Sequence, residues 1–133
     1  MKITTTTAVL EIRPDGIIDY SQRDDYKKFE TVATMKEVVD AINTLSKDRK
    51  RGILCYMKNQ YLGKDVLDST KGKVEFIGMA LLTNSFGTKI LGNFIIKLLK
   101  DGMVLKLFTD RDKAEEWLAD LVQAEQNQGD TTN

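Results

Sequence analysis

The sequence contains no histidine among its 133 residues. That absence removes Ser-His-Asp and Cys-His nucleophile pairs, histidine general bases and most zinc and iron sites together. A single cysteine, Cys55, has no partner for an internal disulfide, which suits a reducing compartment and makes a cytoplasmic location the expectation. No apolar run approaches the roughly 18 residues that a membrane-spanning helix needs. The opening residues, Met1-Lys2-Ile3 followed by Thr4 to Thr7, lack the apolar stretch of a signal peptide. Excess charge is missing too: 20 Lys and Arg balance 20 Asp and Glu, for a net charge of +0. Nucleic-acid-binding domains are visibly basic, so that class of partner is not expected.

What is present is the composition of an ordinary soluble domain, 41% hydrophobic and 30% charged. The length fits one domain, expected over residues 1–123, with the polar residues 124–133 as a fraying tail. Thr5 to Ile12 is rich in β-branched residues and predicts a strand. Arg13-Pro14-Asp15-Gly16 then forms a hairpin turn, with Gly16 supplying the positive φ, and Ile17 begins the return strand. Thr34-Met35-Lys36-Glu37 matches a capping box. Behind it Met35, Val38, Val39, Ile42 and Leu45 form one stripe of an amphipathic helix. Lys47, Arg49, Lys50 and Arg51 oppose the dipole at its end, and Gly52 is expected to close it.

Three continuous apolar runs of strand length follow: Ile53 to Met57, Gly78 to Leu82 and Met103 to Phe108. Each reads as a strand covered on both faces, and Cys55, in the middle of the first, reads as inert core. A short helix interrupted by Gly72 is expected between Lys64 and Phe76, and a strongly apolar one between Phe86 and Lys100. Thr109 or Asp110 caps a last helix carrying Ala114, Trp117, Leu118, Leu121 and Val122. The predicted fold is therefore α/β, in the order β-β-α-β-α-β-α-β-α. Its sheet is mixed and mostly parallel, opened by an antiparallel hairpin.

Ligands of open α/β sheets sit outside the carboxyl ends of the strands. The loops expected there hold Lys58, Asn59, Tyr61, Lys64 and Asp65 in one, and Thr83, Asn84, Ser85 and Thr88 in another, with Thr109-Asp110 as a third. Free helix amides in such loops can hold an anion, although Thr83, Asn84 and Ser85 equally turn the chain and cap a helix. No carboxylate pair is flanked by residues that would force its pKa values apart, so a non-enzymatic role is expected. Nothing in the pattern calls for a cofactor or a metal.

The order of elements and several local patterns resemble the SpoIIAA-like group of STAS/SEC14-type domains, over about Thr5 to Leu121. The residues carrying the likeness are Asp15-Gly16-Ile17, the strand Ile53 to Met57, Met79-Ala80-Leu81-Leu82-Thr83-Asn84-Ser85, Leu91-Gly92-Asn93-Phe94, Lys106-Leu107-Phe108-Thr109-Asp110, Ala114 and Glu116-Trp117-Leu118. The resemblance implies a small bacterial regulatory module that binds a protein partner and is switched by serine phosphorylation. Ser69, in Asp68-Ser69-Thr70, is the counterpart of that serine, although it lies well beyond its strand and its glycine comes only at Gly72. The SEC14 side implies a small-molecule or lipid carrier instead. Two roles follow as expectations: an interaction module, with a protein partner or a second copy of itself, or a ligand carrier. The apolar helix from Phe86 to Lys100 would serve as core, as interface or as a lipid-facing cover.

Overall fold

The chain opens on a hairpin whose turn is built of threonines. The computed structural model describes residues 1–26, 30–56, 64–83 and 102–130. Strands β1 (Lys2–Thr4) and β2 (Ala8–Ile12) pair antiparallel, with Ile3 opposite Leu10. Between them Thr5 donates its amide to the Ala8 carbonyl at 2.8 Å, and its hydroxyl accepts from the Ala8 amide at 3.0 Å. The single strand expected from Thr5 to Ile12 is thus a turn followed by β2, with a further strand, β1, before it. A threonine hydroxyl that bonds nearby backbone offers an alternative to the strand ladder.

The second hairpin forms as expected. Gly16 has φ +89°, the Asp15 carboxylate accepts from the Ile17 amide at 3.1 Å, and β3 (Ile18–Gln22) returns along β2. Helix α1 (Val32–Leu45) follows, then β4 (Gly52–Tyr56), helix α2 (Lys64–Thr70), β5 (Gly78–Leu82), β6 (Leu105–Phe108) and helix α3 (Arg111–Asp130). The 6 strands lie in the order β1-β2-β3-β4-β5-β6; the first two steps are antiparallel and β3 to β6 run parallel. The expected α/β class with a mixed, mostly parallel sheet is what is found. The helix expected over Phe86–Lys100 lies outside the described residues.

Both ends of α1 differ from the expected ones. Thr31, not Thr34, is the N-cap: its hydroxyl accepts from the Thr34 amide at 3.1 Å, and Thr34 returns the favour by accepting from the Thr31 amide at 2.8 Å. Glu37, expected to complete the box, instead accepts from the amide and hydroxyl of Thr6 at 3.1 and 3.0 Å and so ties α1 to the first turn. The helix ends at Leu45, and Gly52 opens β4 rather than closing the helix. Of the basic residues beyond, Arg51 is buried and donates to the carbonyls of Leu45 at 2.9 Å and Gly16 at 3.0 Å. The dipole argument is therefore realised as one direct hydrogen bond to the last helical residue.

Alternation along the strands gives the sheet two apolar faces. Leu10, Ile18 and Ile53 meet Val38, Ala41, Ile42 and Leu45 of α1 on the first face, where Leu67 of α2 also meets Leu105. On the second face Leu54 and Ala80 meet Ala114 and Leu118 of α3. Asp110 caps α3, its carboxylate accepting from the amides of Asp112 and Lys113 at 2.9 and 3.4 Å. The helix runs on through residues 124–130, where a fraying tail was expected.

Candidate functional site

Strand alternation puts Tyr20 and Gln22 of β3 on the first face, and register places Cys55 of β4 beside Tyr20. Met79 and Leu81 of β5 continue that floor, which α1 walls with Met35, Val38, Val39 and Ile42. Leu67 and Thr70 of α2, with Val74 and Phe76 beyond it, form the facing wall. Together they enclose a partly open cavity of about 90 Å³, lined overwhelmingly by carbon and sulfur. One water needs roughly 10–15 Å³ of such space, and apolar cavities stay dry, so this volume suits a small organic group better than solvent.

A few polar groups enter this lining, and they differ in state. The Thr70 hydroxyl is satisfied, donating to the Leu67 carbonyl at 2.8 Å. Burial pushes the Cys55 thiol up to about 12, far above the range in which a thiolate would react. The inert-core reading of Cys55 therefore stands, with the addition that it lines a cavity. Burial also drives the Tyr20 hydroxyl well above its usual pKa, with smaller contributions from Cys55 and Glu30. Both groups stay neutral at physiological pH. Glu30 is buried beside this end of the sheet, accepting from the Thr7 hydroxyl at 2.8 Å. Oε1 of Gln22 is buried and, among the described residues, has no hydrogen-bond partner.

Only some of the residues expected to form a site at the strand ends are described. Lys58, Asn59, Tyr61, Asn84, Ser85 and Thr88 lie outside the described residues. Lys64 and Asp65 are exposed in the first turn of α2. Thr83 is buried, and its amide donates to the Phe108 carbonyl at 3.0 Å, extending the β5–β6 ladder. Ser69 is half-buried on α2, its hydroxyl donating to the Val66 carbonyl at 2.5 Å. Lys64, Asp65 and Ser69 share α2, while Thr83 follows the end of β5. The cavity residues were not singled out from the sequence, although Tyr20 and Gln22 stand two apart on a strand and so had to share a face.

The principal charged cluster belongs to the other face. Arg13 reaches Glu115 at 2.6 Å, Asp15 at 2.5 Å and Asp19 at 3.5 Å, fastening the second hairpin to α3. Burial opposes the charge on Arg13, but its hydrogen bonds to Glu115 and Asp15 outweigh that, and the guanidinium stays firmly protonated. Burial raises the Asp19 carboxyl above its usual range, with Arg13 pulling it back. Such a cluster is a fastening of hairpin to helix rather than a poised acid–base pair.

Among the described residues, no group of His, Cys, Asp and Glu is placed to hold a metal ion, and no helix is long and apolar enough to cross a membrane. Residues 10–122 match the model of a family described as a domain of unknown function, DUF7793. No curated protein and no solved structure matches the chain.

Proposed function

The chain belongs to the DUF7793 family, and on that footing we propose that it is a non-enzymatic, STAS-like binding module whose cavity beneath α1 takes a small apolar ligand. The observation that carries this reading is the cavity itself: apolar, partly open, about 90 Å³, with a few polar groups in its lining. That is the usual make-up of a small-molecule site, where apolar walls supply affinity and sparse polar groups set orientation. The STAS-like, SpoIIAA-like assignment is supported by the antiparallel hairpin that feeds sequentially ordered parallel strands, with α1 between β3 and β4 and α2 between β4 and β5. The neutral state of Tyr20 and Cys55 favours binding over catalysis, since neither is poised to move a proton near neutral pH. A phosphorylation switch at Ser69 draws less support, because that hydroxyl is half-buried and already bonded within its own helix.

The test is native mass spectrometry of protein purified without denaturation. A carrier gives a species heavier than the 15.1 kDa chain by the mass of a small molecule. Val39→Phe, which fills the cavity from α1, abolishes that species. A wild-type chain found only at its own mass contradicts the ligand reading, and a dimer in the same spectrum would favour the interaction module.

A further inference from the structure

We propose that the cavity takes a mostly apolar molecule carrying one hydrogen-bond donor, and that this donor is directed at Oε1 of Gln22. The proposal rests on the ligand-binding reading above and adds the class of molecule bound. Gln22 closes β3, opposite Ala8 in register and on the same face as Tyr20, so its side chain is delivered to the cavity by the strand itself. Among the described residues its carboxamide oxygen is buried without a partner, which makes it a standing demand for a donor inside an otherwise apolar space. The Thr70 hydroxyl, which also lines the cavity, is already committed as a donor to the Leu67 carbonyl. A purely apolar guest would leave the oxygen unpaired; a guest with an O–H or N–H would satisfy it. An opening on one side lets a single substituted ring enter without being fully enclosed.

Phenol, anisole and toluene are nearly equal in size and differ in offering a donor, an acceptor or neither. Their affinities for the full chain, measured by ligand-observed NMR titration, test the proposal. Phenol is expected to bind roughly 3- to 10-fold more tightly than toluene or anisole, the worth of one net hydrogen bond. Gln22→Leu is expected to erase that preference while toluene still binds, and Gln22→Met serves the same purpose should the leucine variant fail to fold. Equal binding of all three by the wild type overturns the donor at Gln22 but leaves the cavity a binding site. A phenol preference that survives both substitutions assigns the donor to another group and overturns the proposal. Binding of none of the three overturns the ligand reading as well.

Discussion

Gly52 and Gly78 stand opposite each other on adjacent parallel strands, and both lie directly under α3. A Cβ at Gly78 would come within 2.6 Å of Cδ1 of Leu121, and one at Gly52 within 3.2 Å of Cγ2 of Val122. Neither glycine has a positive φ; each is a place where helix and sheet approach so closely that an added Cβ makes a side chain of α3 give way. The pair is thus the seat on which the last helix rests.

Enlarging that seat should loosen it. Gly78→Ala can be absorbed by rotation of the half-buried Leu121, whereas Gly78→Val forces branched bulk beneath Trp117 as well. Gly78→Val is expected to lower stability by about 1–3 kcal/mol in urea titration, with Gly78→Ala costing distinctly less. Equal and negligible effects would mean that α3 is not held against β5 at this point.

The core contribution of α3 falls on Leu118 rather than on Trp117. Leu118 is fully buried, while Trp117 is half-buried with its ring 5.6 Å from that of Phe108. Leu118→Ala is expected to cost about 2–5 kcal/mol, and Trp117→Ala no more than that despite the larger ring. Chemical denaturation of the two variants side by side checks the order. A Trp117 loss clearly exceeding the Leu118 loss would contradict it.

Arg51 joins the end of α1 to the second hairpin through the carbonyls of Leu45 and Gly16, with Asp48 on its remaining nitrogen. Arg51→Met keeps an apolar stem but leaves both carbonyls without that donor. The expected loss is about 2–4 kcal/mol, from roughly 1–3 for each buried group left unpaired. Arg51→Lys should recover only part, since an ammonium lacks the planar fork that spans separate acceptors. Full rescue by lysine would show that charge, not geometry, is what this position supplies.

Cys55 gives a pH dependence with a definite sign. Its thiol is pushed by burial from 9.0 to about 12 in the folded protein, so folding retains a proton that the unfolded chain gives up first. This contribution is fully present below about pH 9 and is lost as pH rises toward about 12, with a slope of at most ~1.4 kcal/mol per pH unit. Tyr20, raised in the same direction by burial, adds to the alkaline fall. Cys55→Ala should begin from a lower stability, because it leaves a void, yet decline less steeply between those limits. Parallel curves for the two proteins would show that the thiol titrates normally in the fold.

Much of this architecture was legible because the strands are short apolar runs between strong punctuation. Ile53 to Tyr56 and Gly78 to Leu82 are covered by helices on both faces, and their unbroken hydrophobicity announces that. β1 was not legible, since Lys2-Ile3-Thr4 places one apolar residue on one face and owes its strand to pairing with β2. The start of α1 was misplaced because two threonines, Thr31 and Thr34, both fit a cap. What distinguishes them is a tertiary bond that draws Glu37 away to Thr6. The cavity was less legible still. Alternation assigns Tyr20 and Gln22 a common face, but whether a glutamine oxygen finds a partner depends on the helices packed above it.

The central claim, that the space beneath α1 is a ligand site, is tested most directly through the methionines. Met35, Met79 and Met103 line the cavity, while Met1 is 74% exposed and no part of its lining. With isotopically methyl-labelled methionine, titration with phenol is expected to shift the Met35, Met79 and Met103 signals together along one saturating curve and to leave Met1 in place. Signals that do not move, or a Met1 that moves as far as the others, would contradict the account.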